Sequence, residues 1–177
     1  MEKSPPPLTE GPADPGDAQR QVARELALST SQREVWLDQR AWPNSVHLNI
    51  GGAGYLNGSL NLTILQRSLD LLVEENQALR LVPRSDGTQI LLEHYAPKLE
   101  IVDCSDAAIP HQRMAEVWSR EIRRPFELGT RPPWRFVLYR AHAAGFGISL
   151  HYHHLVMDGW GTTLVWHRWA DIYRQLL

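Results

Sequence analysis

Hydrophobic residues recur with two different periods along this chain, and the two periods alternate. Leucines at Leu62, Leu65, Leu69 and Leu72 follow spacings of three and four, which predicts one face of an amphipathic helix. Other stretches run apolar or alternate residue by residue, as strands do. Since both patterns alternate from residue 26 onward, we expect a mixed α/β layer architecture.

Four helices are predicted from these spacings and from capping or breaking residues. The first covers residues 31–40 with Ser29 or Thr30 as its cap, and the second runs from Asn61 to about residue 76. The remaining two are a helix from Asp106 to Pro125 with Ala115, Trp118 and Ile122 buried, and one from about Thr162 with Val165, Trp169, Ile172 and Leu176 buried.

Six short strands are predicted, at residues 47–56, 79–83, 89–94, 99–102, 134–140 and 146–152, with Ser85-Asp86-Gly87 as a hairpin turn. After residue 146, large apolar residues take even positions while glycine, serine and histidine take odd ones. Successive strand side chains point to opposite faces. His153 and His154 should therefore face different environments.

The first strand contains the run Gly51-Gly52-Ala53-Gly54. It has no following lysine and opens no helix, so it does not match a phosphate-binding loop. We expect close packing of backbones there instead.

The first 25 residues are predicted to be a disordered acidic tail. Residues 1–17 contain five of the twelve prolines, four acidic residues and no aromatic residue, so they have little to bury. Residues 26–177 then form one domain, as the length of 177 residues suggests. Because the tail begins with Met1, we expect it to be the natural start of a longer polypeptide.

Charge and cysteine content exclude several classes of protein. The net charge is −2 with scattered basic residues, so nucleic acid is not an expected partner. The apolar runs are strand-sized, and we expect neither a signal peptide nor a membrane span. Cys104 is the only cysteine, which rules out an internal disulfide and fits a cytoplasmic protein.

Polar residues gather where the sixth strand should end. His151, His153 and Asp158 could be considered metal ligands, but their spacing matches no familiar zinc motif. We expect no metal, and hydrogen-bonded histidines are the alternative.

Residues 153–160, His-His-Leu-Val-Met-Asp-Gly-Trp, resemble the HHxxxDG signature of the condensation domains of nonribosomal peptide synthetases and of related chloramphenicol-acetyltransferase-like acyltransferases. Three other segments agree with this family in the same order. Residues 28–33 with Trp36 are similar to its opening motif, residues 77–80 to its second motif, and residues 125–135 to its third.

The resemblance implies a fold. Such domains are chloramphenicol-acetyltransferase-like α/β two-layer sandwiches, built as V-shaped pseudo-dimers of two lobes with the histidine motif at their junction. The resemblance covers residues 26–177, which correspond to the N-terminal lobe only. The C-terminal lobe of the same domain is therefore an implied partner.

The resemblance also implies a reaction, the attack of an amine on a thioester. The thioester hangs on the phosphopantetheine arm of a carrier protein, so donor and acceptor carrier proteins (peptidyl or acyl) are implied partners, and the chain itself binds no cofactor. His154 would position or deprotonate the amine, and His153 would be structural. Asp158 would pair with Arg80 to support the loop. Two roles are open for Gly159: contact with the substrate oxygen, or a tight turn.

Residues 49–52 and 74–81 look like those of starter condensation domains, which attach a fatty acyl group to the first amino acid of a lipopeptide, typically an antibiotic. Gly161 and Leu81 depart from the family, which often has serine and threonine there. Two other functions are open: a free-standing acyl-CoA acyltransferase with its site between protomers, and a non-catalytic docking lobe for carrier proteins.

Overall fold

The computed structural model describes residues 22–141 and 145–177. Most of the predicted tail, residues 1–21, lies outside the described residues. Its last part, residues 22–25, belongs to strand β1 (Val22–Ala27), so the prediction of a tail up to residue 25 was too long. This strand is mostly exposed and is held by backbone pairing with β4 (Thr88–Leu92). Its side chains therefore carry no hydrophobic pattern from which the strand could be predicted.

The described residues form four α-helices and seven strands. The helices are α1 (Thr30–Ala41), α2 (Leu62–Glu75), α3 (Pro110–Glu121) and α4 (Gly159–Leu176). A short 3-10 helix, Gln77–Arg80, follows α2. Besides β1 and β4, the strands are β2 (Asn49–Asn57), β3 (Leu81–Pro83), β5 (Glu100–Asp103), β6 (Trp134–Arg140) and β7 (Gly145–His153).

The strands make two sheets, and β7 is an inner strand of the larger one. That sheet has the order β2-β7-β6-β5, with β7 antiparallel to both of its neighbours and β5 parallel to β6. The smaller antiparallel sheet has the order β1-β4-β3. The α/β fold class is thereby confirmed.

Both faces of β7 are covered. Its even-numbered side chains join the main core with residues of α2 and α4, namely Leu65, Leu69, Leu72, Val165, Trp169 and Ile172. A second cluster, with Met114 and Val117 from α3 and Val137 and Tyr139 from β6, covers the opposite face of the sheet. The predicted leucine stripe of α2 is confirmed, with Leu62 partly buried.

Several local predictions are confirmed by hydrogen bonds. Ser29 caps α1 through a capping box with Gln32, and Asn61 caps α2. In the β3–β4 hairpin, Gly87 has a φ of +84°, the left-handed region that glycine reaches without strain.

The predicted starts of two helices were wrong. Asp106 does not cap α3, which begins at Pro110 without a side-chain cap and buries Met114 and Val117 instead of Ala115. Proline suits a first helical position because it needs no hydrogen-bond acceptor there. Helix α4 begins at Gly159, three residues earlier than predicted, because Asp158 is its cap.

The glycine run in β2 packs closely at one position, as expected. A Cβ atom at Gly51 would overlap the backbone oxygen of Leu150 on β7, whereas a Cβ at Gly54 would meet nothing within 4 Å. We predict that Gly51→Ala lowers the free energy of unfolding by about 1–3 kcal/mol because the strands must separate.

Gly54→Ala on the same strand is the matched control and should change stability by less than about 0.5 kcal/mol. Chemical denaturation of both variants measures the difference. Equal stability of the two would show that close backbone approach does not matter at residue 51.

Candidate active site

His154 lies in the turn that joins β7 to α4, directly after the last strand residue. The imidazole is exposed, while Leu155, Val156 and Met157 are buried. The Val156 N–H donates to the carbonyl of His153 at 3.1 Å, and the His154 N–H donates to the carbonyl of Leu48 at 2.9 Å. An accessible imidazole is therefore carried on a turn whose backbone is fixed on both sides.

His153 points the other way, into the protein, and only 2% of it is exposed. Its Nδ1 accepts from the Leu155 N–H at 3.1 Å, which leaves Nε2–H to donate to Gln39 Oε1 at 2.9 Å. Burial, with smaller contributions from the charges of His154 and His47, lowers the pKa of His153 to about 4. His153 is thus a neutral imidazole with both nitrogens occupied.

A buried polar chain lies further along the same face of β7. Tyr139 and Ser149 are joined by a hydrogen bond of 2.7 Å between their hydroxyls, and Ser149 Oγ lies 2.8 Å from His151 Nε2. Burial, followed by the charge of Arg135, lowers the pKa of His151 to about 4. Burial also raises the pKa of Tyr139 to about 12. All three side chains are therefore uncharged at neutral pH.

Arg135 on β6 links this face to the end of α3. Its guanidinium donates to the carbonyls of Glu121, Arg124 and Pro125 at 3.0, 2.8 and 3.3 Å. It also lies 4.0 Å from the ring centroid of Phe126, and that ring meets His153 edge-on at 6.3 Å. A cation at the C-terminal end of a helix is favoured by the helix dipole.

The predicted pair of Arg80 and Asp158 does not form; within residues 22–141 and 145–177, the two side chains have separate partners. Arg80 donates to the carbonyls of Val73, Glu74 and Leu92. Two of these are the last carbonyls of α2, which attract a cation. Asp158 instead accepts from the Gly161 N–H at 2.6 Å and caps α4. Asp158 still supports the turn, but through the helix start.

The two glycines of this helix start differ. Gly159 is the first residue of α4, has no positive φ, and has open space where a Cβ would lie, so a tight turn does not explain it. At Gly161 a Cβ would lie 2.6 Å from Met157 Sδ. The side chain of Met157 therefore occupies the space that a serine side chain at residue 161 would need.

The metal alternative gains no support. His151 is bonded to Ser149, His153 to Gln39, and Asp158 to a backbone amide. No group of three or more potential ligands that could hold a metal ion occurs in the part of the chain that the structure describes. Among the described helices, none combines the length and apolar character needed to cross a membrane.

Sequence reasoning missed the residues that surround the histidine pair. Two of them are on α1: Gln32 bonds to Leu155, and Gln39 bonds to His153, the two neighbours of His154. The third, Arg135 on β6, bonds to Glu121 at the end of α3. A signal was present, because Gln32, Trp36 and Gln39 share one face of α1, and Trp36 is buried. Polar residues beside a buried tryptophan indicate buried hydrogen bonds.

The lobe presents the exposed residue His154 at the junction between strand β7 and helix α4. A model of the family described as Condensation domain matches residues 22–177, and the chain belongs to this family. A linear gramicidin synthase protein of Brevibacillus parabrevis is 30% identical over 158 residues, which cover 86% of this chain and 2% of that protein. Cyclosporin synthetase simA of Tolypocladium inflatum is 27% identical over 177 residues, which cover 94% of this chain and 1% of that protein.

Solved structures agree with this assignment. The starter condensation domain of rhizomide synthetase RzmA, in complex with C8-CoA, matches with a TM-score of 0.78 and 28% identity, over 87% of this chain and 36% of that one. The first condensation domain of the calcium-dependent antibiotic synthetase shares the fold with a TM-score of 0.77. The chain spans 36–40% of these two structures, and its fold is that of one chloramphenicol-acetyltransferase-like lobe.

The two buried histidines predict a pH-dependent stability. Their pKa values fall from the ordinary 6.5 to about 4 on folding. Between these values the unfolded chain binds protons that the folded protein does not, so stability decreases as pH falls from about 6.5 to about 4. Each imidazole contributes about 3 kcal/mol to this loss.

Denaturation of the wild type and His151→Phe at several pH values measures the effect. The variant should lose about half of the slope between pH 4 and pH 6.5. His167→Gln, at an exposed position, tests whether loss of any imidazole has the same effect. Equal slopes for wild type and His151→Phe would contradict the neutral buried state of His151.

Proposed function

We propose that this chain is the N-terminal lobe of a condensation domain of a nonribosomal peptide synthetase, and that His154 serves the amide-forming reaction. The observation that carries the proposal is the division of the histidine pair. His154 is exposed on a fixed turn, whereas His153 is buried with both nitrogens occupied. Of this pair, His154 is therefore the one that a substrate could reach.

The reaction joins an amine to a thioester. The amine nitrogen attacks the carbonyl carbon, the C–S bond breaks, and the thiolate leaves with a proton. His154 accepts the proton of the amine or holds its lone pair toward the carbonyl, roles that suit imidazole because it titrates near neutrality. A thioester is already activated, so no covalent enzyme intermediate is needed. The N–H of Gly159, at the start of α4, would stabilise charge on the thioester oxygen.

The lobe needs partners to enclose this reaction. Trp160 and Leu164 lie one turn apart on α4, shortly after His154, and are 74% and 54% exposed. Large apolar side chains exposed together are typical of a surface that another unit covers. We assign this role to the C-terminal lobe of the domain. Donor and acceptor carrier proteins would then deliver their phosphopantetheine arms from either side.

The starter type is supported by the comparisons. The RzmA structures come from a starter condensation domain, and one of them contains C8-CoA and Leu-SNAC, an acyl and an aminoacyl compound. We propose that the donor here is likewise a fatty acyl group. Two of the residues with starter resemblance have structural contacts: Asn49 bonds to the carbonyls of Ile122 and Arg124, and Glu75 pairs with Arg168 at 2.7 Å. Both contacts join separate segments of the lobe.

Substitutions of His154 and Arg80 should separate catalysis from folding. In the complete domain, His154→Ala should lower the rate of amide formation by about 10²–10⁴-fold, the usual contribution of a general base. Its melting temperature should stay close to that of the wild type, since the side chain is exposed. Arg80→Ala strands three carbonyls and should cost about 1–3 kcal/mol of stability. Mass spectrometry of the product and thermal melts measure both. Equal melting losses would refute this division of roles.

The length of the acyl donor should determine how strongly the complete domain prefers it. Each methylene buried in an apolar tunnel contributes about 0.8 kcal/mol, so two more methylenes should raise donor preference about tenfold until the tunnel is full. Competition among acyl thioesters of graded length, with a peptidyl thioester included, measures this preference in the complete domain. Preference for the peptidyl donor without dependence on acyl length would remove the starter assignment and leave an elongation domain.

A further inference from the structure

Two glutamines of α1 contact the residues on either side of His154. Gln32 and Gln39 lie seven residues apart, which places them on the same helical face about two turns from each other. Gln39 bonds to the side chain of His153, and Gln32 bonds to the carbonyl of Leu155. One face of α1 therefore holds both neighbours of the exposed imidazole.

Gln39 uses both ends of its amide. Its Oε1 accepts from His153 Nε2–H at 2.9 Å. The Leu155 N–H sets the tautomer of the ring by donating to Nδ1, and the bond to Gln39 fixes the direction of the Nε2–H. Its Nε2 donates to the carbonyls of Trp42, Pro43 and Ser45 at 3.0, 3.3 and 3.3 Å. The same side chain thus ties the histidine pair to residues 42–45, the turn that follows α1.

That turn leads directly to the backbone contact of His154. Asp38 Oδ2 lies 2.6 Å from His47 Nε2, and His47 Nδ1 lies 2.6 Å from Ser45 Oγ, which holds the turn against α1 a second time. The next residue, Leu48, accepts the His154 N–H. The turn therefore transmits the position of α1 to the backbone of His154.

Gln32 holds the other side. Its Nε2 donates to the carbonyl of Leu155 at 2.9 Å, and its Oε1 accepts from Gln89 and from the Ser29 N–H at 3.0 Å each. The capping box at the start of α1 and the turn after β7 thus share one side chain. Movement of α1 would move residues 153, 154 and 155 together.

We infer that α1 positions the catalytic imidazole, with Gln32 and Gln39 as the positioning residues. The inference rests on the proposed function of His154. Neither glutamine touches the substrate; each acts on the backbone or ring next to His154. Displacement of a reacting group by about 1 Å can cost about a hundredfold in rate, so loss of these bonds should lower kcat more than it raises KM.

Three variants remove different bonds. Gln39→Met has similar length and removes all contacts of the amide. Gln39→Glu keeps an acceptor for His153 Nε2–H but cannot donate to the turn. Gln32→Glu keeps the acceptor that the capping box needs and loses the donation to Leu155. Gln112→Met and Gln112→Glu, on the exposed surface of α3, are the matched controls.

Condensation kinetics of the complete domain are the first readout. Gln39→Met and Gln32→Glu should lower kcat about tenfold or more, with KM within about twofold. Gln39→Met also leaves the buried His153 Nε2–H without an acceptor and should melt at a lower temperature than the controls, so its kinetics are measured at a temperature where it is fully folded. Gln39→Glu should also lose activity more steeply as pH falls, because a carboxylate beside His153 favours its protonated form. The groups facing His153 are Gln39, Phe126, His47, His154 and the Leu155 N–H. Wild-type kcat in Gln39→Met and Gln32→Glu would overturn the inference.

Nitrogen NMR of the histidines in the 177-residue chain is the second readout and does not depend on activity. The wild type should show His153 with Nε2 protonated and Nδ1 unprotonated. Gln39→Met keeps the Leu155 N–H and should therefore keep this tautomer, but its Nε2 signal should shift because the hydrogen bond to Gln39 is lost. The opposite tautomer in the wild type would overturn the inference whatever the kinetics. If the tautomer is as expected but the complete wild-type domain forms no amide, the proposed function fails and the hydrogen-bonded arrangement stands.

Discussion

The burial of β7 on both faces is the constraint on which this lobe depends. The even-numbered side chains of the strand enter the main core, and the odd-numbered ones lie under α3 and its flanking segment. Polar groups in such a place must find partners, since an unpaired buried polar group costs free energy. Ser149 and His153 find theirs in Tyr139 and Gln39, and His151 Nε2 pairs with Ser149. His151 Nδ1 and the Tyr152 hydroxyl have no hydrogen-bond partner among the described residues, which is a cost that the packing of the strand must offset. His154 is the first residue beyond the strand, and its side chain is exposed to solvent.

This arrangement explains why two adjacent histidines differ so strongly. Burial keeps His153 neutral and its ring bonded on both nitrogens, while the next residue lies on an exposed turn. Buried Leu155, Val156 and Met157 anchor that turn, and Asp158 then starts α4. The imidazole of His154 is therefore accessible without being mobile at its backbone. A single imidazole held in this way suits a reaction in which the acyl donor is already activated.

The sequence predicted the parts of this lobe that depend on local periodicity and caps. The alternation along β7, the leucine stripe of α2, one of the two candidate caps of α1 (Ser29) and the turn at Gly87 are all present. Residues with long-range partners were not predictable in this way. Arg80 was paired with Asp158 by resemblance, but carbonyls at the end of α2 lie closer to its guanidinium. Gln32 and Gln39 act through side chains that lie 57 and 114 residues away along the chain. Arg135 acts through backbone carbonyls that precede its strand. No local pattern of hydrophobic and polar residues encodes such contacts. Strand β1 is mostly exposed, so its sequence does not show the hydrophobic pattern by which a buried strand is predicted.

The most direct test of the division between the two histidines is a crystal structure of the complete domain with a stable analogue of the amide product. The imidazole of His154 should lie within hydrogen-bond distance, about 3 Å, of the amide nitrogen. His153 should stay buried between Gln39 and the Leu155 N–H. A structure in which His153 faces the analogue, or in which no imidazole reaches the amide nitrogen, would contradict the account.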